Sequence, residues 1–252
     1  MTAPARAPRR AIAPALARSV AALAGALVAT DARAEIVASA SIANDQVFRG
    51  DTVSGGRPVA ALDISWDDPS GLYFSGSATG VATAAYGARL LQVEQNIGYA
   101  RRLDAGPTFD LGLNNANYTR YFSGGYRGGY TEVYAGLIGR VLSARLHFSP
   151  NYFRPHVSVL YLDLNGGIEP APKWHLTAHL GLLGRIGGPC PPYASNARVD
   201  WRLGVSRRAG PFDLQLAWAR ASSGAPGYGS DRYYPGNGYH RDRLVLRLSW
   251  TP

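Results

Sequence analysis

From residue 35 to the carboxyl end, hydrophobic and polar positions alternate with a period of two. In the last segment Leu244, Leu246, Leu248 and Trp250 share one face, while Arg243, Val245, Arg247 and Ser249 share the other. That is the signature of a strand whose successive side chains point to opposite sides of a sheet. The same split places Val199, Trp201, Leu203 and Val205 against Asp200, Arg202 and Gly204, and Phe212, Leu214, Leu216 and Trp218 against Asp213, Gln215 and Ala217. Trp174, Leu176, Ala178, Leu180 and Leu182 oppose His175, Thr177, His179 and Gly181, and Ala144, Leu146 and Phe148 oppose Arg145, His147 and Ser149. The phase is less clean over 130–140 and 157–165. With turns read from Gly, Pro, Asn and Asp clusters, the chain predicts about twelve strands. They are 36–49, 58–66, 72–80, 89–101, 108–121, 130–140, 144–152, 157–167, 174–186, 197–206, 212–221 and 241–250.

The connections alternate in length. Those at 67–71, 102–107, 141–143, 168–173 and 207–211 span three to six residues, and most of the others span eight to nineteen. Short turns at one end and long loops at the other mark an up-and-down barrel. Two of the short turns resemble each other, Arg101-Arg102-Leu103-Asp104-Ala105-Gly106-Pro107 and Arg207-Arg208-Ala209-Gly210-Pro211. A soluble sandwich also alternates, but its strands commonly run five or six residues, whereas many here run nine or more, the reach of a tilted membrane strand. Aromatic residues gather at the predicted strand ends, with Phe109, Trp174, Phe212 and Trp250 toward the short turns and Tyr118, Tyr121, Tyr130 and Tyr152 toward the long loops. Interfacial girdles would produce that distribution. The expectation is an all-β protein, an antiparallel up-and-down transmembrane β-barrel, since only closure satisfies every strand's amide groups in lipid.

Composition agrees. Of 252 residues, 46% are hydrophobic and 17% charged, so the chain is neither disordered nor short of apolar side chains. No apolar run reaches the length of about 18 residues that a spanning helix needs. Residues 1–34 differ from the rest: Arg6, Arg9, Arg10 and Arg18 precede the apolar stretch Ser19–Thr30, and Ala32-Arg33-Ala34 has the small-x-small form of a cleavage site. A secretory signal peptide is expected over 1–34 and the barrel over 35–252. Removing the first segment takes away five Arg and one Asp, so the formal charge falls from +9 by 5 − 1 = 4 to +5. Export argues against nucleic acid as a partner, and no basic block with interleaved aromatics appears. The lone Cys190, in a Gly/Pro-rich loop, excludes an intramolecular disulfide framework.

Several segments together resemble a known family. Val47-Phe48-Arg49-Gly50, Gly56-Arg57-Pro58-Val59, Gly71-Leu72-Tyr73, Gly98-Tyr99, Tyr130-Thr131-Glu132-Val133-Tyr134-Ala135-Gly136, Phe148-Ser149-Pro150-Asn151-Tyr152-Phe153 and Asp200-Trp201-Arg202-Leu203-Gly204-Val205-Ser206 are similar, in order and over essentially all of residues 35–252, to the TorF-like porins. The resemblance implies an outer-membrane barrel of a Gram-negative bacterium with no established substrate, and it supplies no catalytic residue.

Residues able to carry chemistry are few. His147 and Ser149, followed by Asn151, recur two apart as in outer-membrane lipid A deacylases, but a nucleophile and base need hydrogen-bond reach and an orienting carboxylate. His175 and His179 share a face yet sit about 13 Å apart at strand rise, too far to share a metal ion. No enzyme activity, cofactor or metal is expected. What remains is the face predicted to line the pore: Arg145, His147, His175, His179, Arg185, Asp200, Arg202, Asp213, Arg243 and Arg247, with Glu94, Glu132, Arg140 and Gln215. Six of these are Arg and four are carboxylates, a surplus of two positive charges. Twelve strands enclose more room than a filled eight-stranded barrel and less than a sixteen-stranded porin, so a narrow pore that a loop can block is expected. The expected function is a porin-like channel for passive diffusion of small polar, mildly preferably anionic, solutes. The partners are outer-membrane lipid and those solutes, with the oligomeric state left open. The alternative is a non-conducting outer-membrane barrel whose loops bind or anchor at the surface.

Overall fold

The computed structural model describes residues 34–104, 106–122, 128–189, 196–222 and 242–252. The described residues form strands β1 (Glu35–Ala43), β2 (Val47–Phe48), β3 (Asp51–Thr52), β4 (Val59–Asp67), β5 (Leu72–Thr83), β6 (Gly87–Arg102) and β7 (Thr108–Tyr118). They continue with β8 (Gly128–Ile138), β9 (Leu142–Ser149), β10 (Ser158–Ala171), β11 (Trp174–Gly187), β12 (Ala197–Ala209), β13 (Phe212–Ala221) and β14 (Arg243–Trp250). β1 and β4 to β14 close into one antiparallel barrel of twelve strands, with β2 and β3 paired only to each other.

Short turns at 68–71, 103–107, 139–141, 172–173 and 210–211 occupy one end, together with the start of β1 and the end of β14. In the first of them the Ser70 N–H donates to the Asp68 carboxylate at 2.8 Å, and the Ser70 hydroxyl and N–H together hold that carboxyl below its usual range. The opposite end carries the longer connections. The seam between β1 and β14 is short, pairing Ala40–Ala43 with Arg247–Trp250. Asn44 extends it: its N–H donates to the Leu246 carbonyl at 3.2 Å, its Nδ2 to the Leu244 carbonyl at 3.0 Å, and its Oδ1 accepts from the Leu246 N–H at 2.8 Å. A side chain thus supplies the ladder bonds that a longer first strand would have made.

The outer face is apolar. Ile36, Leu62, Phe74, Ile97, Leu113, Leu146, Leu176, Leu180, Leu216 and Leu246 are all exposed there. Such a surface fits hydrocarbon rather than water, because apolar patches of this extent are rare on soluble monomers. The barrel belongs in the bacterial outer membrane.

All twelve predicted barrel strands are present, with three corrections. The first was expected to run unbroken over 36–49, but the barrel strand stops at Ala43, and 47–52 forms the separate β2–β3 hairpin. The connection expected at 81–88 shrinks to 84–86, because β5 and β6 both run on, closed by Thr83 Oγ1 donating to the Gly87 carbonyl at 2.8 Å. The aromatic residues expected in a girdle at the long-loop end are not on the lipid side: Tyr118, Tyr130 and Tyr152 are buried inside the barrel and Tyr121 is half-buried beside them. Outward aromatics at that end include Trp201 and Trp218, 6.3 Å apart edge to face, with the Trp218 indole donating to Asp242 at 3.0 Å. The proposed signal segment, up to residue 33, and Cys190 lie outside the described residues.

The apolar core therefore sits within the bore, at the long-loop half. Phe48, Tyr118, Phe122, Tyr130, Tyr152 and Phe153 pack ring against ring there, Phe122 stacked on Phe153 at 5.6 Å and Phe48 on Tyr130 at 5.5 Å. The half nearer the short turns is lined by polar side chains.

Candidate functional site: the bore and its hairpin

The segment 44–58 folds on itself before it enters the bore. The buried Asp45 Oδ1 accepts from the hydroxyls of Thr52 at 2.5 Å and Ser54 at 2.7 Å and from the Gly56 N–H at 3.3 Å, so one carboxylate gathers both arms of the hairpin. The turn residues Arg49 and Gly50 have φ of 45° and 77°, the paired positive values of a type I′ hairpin turn. Glycine suits this geometry, whereas arginine in the left-handed region costs about 1–2 kcal/mol. What offsets that strain is where the arginine reaches.

Arg49 Nη2 donates to both Glu132 carboxylate oxygens, at 3.0 and 2.8 Å. Its guanidinium lies 3.9 Å from the Tyr161 ring centroid and 4.9 to 5.6 Å from those of Phe48, Tyr152 and Tyr130. At the other side of the tip, Gly50 packs where a Cβ would lie 2.7 Å from the Ala221 Cβ and 2.8 Å from the Asp200 Cβ. Asp51 forms an ion pair with the buried Arg198. Rooted between β1 and β4, the hairpin touches β8, β10, β12 and β13, and so crosses the bore.

Beneath it, alternating acids and histidines line five consecutive strands. His147 Nδ1 is 3.0 Å from Glu132 and its Nε2 is 3.9 Å from Asp163; His179 Nδ1 is 3.1 Å from Asp163 and its Nε2 is 2.9 Å from Asp200. The Tyr161 hydroxyl closes on His179 at 3.1 Å and on Asp200 at 3.3 Å. On the facing wall Glu94 accepts from Gln92 Nε2 at 2.9 Å and Asn114 Nδ2 at 3.0 Å. Lower down, Arg145 Nε donates to Asp110 at 2.7 Å, and Tyr73 joins Asp110 at 2.6 Å and also bonds Tyr134.

Apart from Arg140, the residues predicted to line the pore fall on the inner face, in different situations. Arg145, His147, His179 and Asp200 are engaged in these pairs. His175 lies near the short turns, 3.2 Å from Glu169, and Asp213 accepts from the Ser206 hydroxyl at 3.2 Å. Arg247 donates to Ser41 Oγ at 3.2 Å and Gln46 Oε1 at 3.0 Å. Arg202 opens into the lumen, and Arg243 stands beside the hairpin, its Nη1 4.0 Å from where a Gly56 Cβ would be. Arg185, near the mouth end of β11, is held by Asn196, at 3.0 and 2.6 Å, and by the Gly188 carbonyl. Arg140 lies in the turn 139–141, off the barrel wall. The positive surplus is overturned. Asp51, Asp63, Asp110 and Asp163 also face inward and match the arginines, even with Arg49 and Arg198 added. His147 and Ser149 do not form a catalytic pair, since the Ser149 hydroxyl donates to the Thr131 carbonyl at 2.8 Å. Among the described residues no group of three or more His, Cys, Asp or Glu is placed to hold a metal.

Arg49 went unrecognised as a site residue because the period of two carries through it, and Arg198 and Asp110 because pairing across strands is invisible in one strand's phase. The one available signal was Arg49-Gly50 itself, a turn-forming pair inside an otherwise unbroken pattern.

Among the described residues two polar cavities stand out. One, of about 250 Å³, lies under the hairpin between Arg49, Glu132, Asp200, Arg202, Asn114 and Glu94. The other, of about 310 Å³, runs along the small wall of Ser39, Ser65, Ser75 and Ser77 and also reaches Glu94. Glu94 thus borders both.

Residues 28–243 match the model of a family described as bacterial protein of unknown function (Gcw_chp). Among solved structures, the chain is similar to the NanC porin, with a TM-score of 0.53 at 11% identity over 85% of this chain and 97% of that one. It is also similar to the KdgM porin (TM-score 0.49, 9% identity, 86% and 98% covered) and to an outer-membrane channel from Pseudomonas putida F1 (0.45, 12%, 90% and 98%). No curated protein sequence matches.

Proposed function

The chain belongs to the Gcw_chp family, and we propose that it forms a narrow outer-membrane channel for passive, energy-independent diffusion of small polar solutes. The reading rests on one observation: a polar lining over the half of the bore nearer the short turns, inside a closed apolar-faced barrel, with two cavities that share Glu94. A structural filler would bury apolar side chains there; the half nearer the short turns instead presents hydroxyls, amides and charges. Solutes carrying an anionic group are favoured at the arginine wall. Arg202 on β12 and Arg243 and Arg247 on β14 face inward on either side of β13, and guanidinium groups bind carboxylate and phosphate in a planar fork. The hairpin across the bore keeps conductance small and favours the second reading, a closed barrel serving at the surface, if it never moves.

Two further assignments belong to this proposal. Residues 1–34 act as the secretory signal, and the chain catalyses no reaction. The similarity to TorF-like porins supports the same channel reading. The test is selectivity. In a salt gradient across a planar bilayer, replacing Arg202, Arg243 and Arg247 together by Gln should move the reversal potential toward cations, because fixed charges along the pore set selectivity. An unchanged potential would take these side chains out of the permeation path.

A further inference from the structure

The cavity under the hairpin holds two charged side chains that the ion pairs around it leave over. Glu132 pairs with Arg49, and His179 is shared between Asp163 and Asp200. Glu94, by contrast, has only the amides of Gln92 and Asn114, and Arg202 has no carboxylate within ion-pair distance among the described residues. The two belong to β6 and β12, six places apart around a twelve-strand ring, so they look at each other across the bore. A second observation marks the acidic side as incomplete. Asn114, 8% exposed and lining the same cavity, gives its Nδ2 to Glu94, while its Oδ1 is buried without a partner. A buried acceptor left unsatisfied costs about 1–3 kcal/mol until a donor arrives.

We propose that this cavity binds a small zwitterionic solute of the amino-acid type, resting on the channel reading above and naming its substrate class. The carboxylate of such a solute meets the planar fork of Arg202, and its ammonium donates to Glu94 and to the orphan Asn114 oxygen. A simple anion would satisfy Arg202 and leave Glu94 and Asn114 unanswered. A simple cation would do the reverse. A neutral polyol would leave both charges without a counter-charge. The hairpin roofs the site, so a solute enters from the half nearer the short turns.

The experiment uses the folded full chain in nanodiscs and glycine as the probe, with glycolamide, acetate and methylamine as size-matched neutral, anionic and cationic controls. Saturation-transfer NMR should show glycine bound in preference to all three. Glu94→Gln and Arg202→Gln should each weaken glycine about tenfold, the scale of one hydrogen bond to a charged group. The reversed pair Glu94→Arg with Arg202→Glu should restore it, since a zwitterion can turn end for end. Equal binding of glycine and glycolamide, or glycine binding indifferent to both single replacements, would overturn the proposal. Ion conductance of the same preparation separates the two claims. Conductance without glycine preference leaves the channel and removes the site, and glycine binding without conductance leaves the site and removes the channel.

Discussion

Arg49 and Glu132, 83 residues apart in sequence, meet through two hydrogen bonds of 2.8 and 3.0 Å, with side chains only 6% and 3% exposed. One sits at a turn position that a long side chain rarely occupies, and the other on the inner face of β8. Breaking a buried pair by removing one partner typically costs about 3–5 kcal/mol, because the other charge is left uncompensated. Glu132→Gln should therefore lower the unfolding midpoint in urea and expose 44–58 to protease. Arg49→Asn keeps a residue suited to the type I′ turn and loses the anchor. The double variant should cost clearly less than the two single costs added together. Strict additivity would mean that the two residues act independently.

Gly50 gives a separate handle on the same contact. A Cβ there would lie within 2.8 Å of atoms on β12 and β13 while φ is +77°. Gly50→Ala should cost about 1–3 kcal/mol through overpacking and should lift the hairpin, raising the conductance of the barrel. Gly184→Ala, on β11, meets nothing within 4 Å and should change neither stability nor current. Identical behaviour of the two variants would show that the hairpin tip is not seated against β12 and β13.

The lipid face can be tested at neighbouring positions. Leu246 points outward and is half exposed, whereas Arg247 points inward to Ser41 and Gln46. Leu246→Arg should cost about 2–4 kcal/mol near the bilayer midplane, and Arg247→Gln about 1 kcal/mol for lost hydrogen bonds. Urea unfolding of the barrel in lipid vesicles reads both. Equal tolerance would mean that the strand phase or the membrane is wrong.

How much of this was legible in the sequence follows from what a period of two can report. It separates two faces, so Leu246 and Arg247, Leu203 and Arg202, and Leu180 and His179 were assigned correctly, and with them the twelve strands. It does not say which face is wet. Tyr118, Tyr130 and Tyr152 look like interfacial aromatics because they stand at strand ends, yet they point inward to meet the hairpin and the loop 150–157. Nor does it register a strand that breaks and resumes in phase. Ala43 and Val47 are separated by Asn44, which imitates strand bonding with its side chain, and by Asp45, which starts a new unit. The lumen charge was misjudged for a related reason. Asp163 lies in a strand whose phase is blurred by small and mixed residues, the pairing of Asp110 with Arg145 runs between strands, and Arg49 and Asp51 reach the bore from a hairpin.

Passage through the bore is tested most directly by single-channel recording of the purified full chain, folded as judged by heat-modifiable gel mobility, in a planar bilayer. Small discrete current steps are expected from the wild type, larger or longer ones from Glu132→Gln, in which the hairpin loses its anchor on β8. A folded barrel that passes no current in either form would contradict the channel and leave the hairpin as a fixed part of a closed, surface-serving barrel.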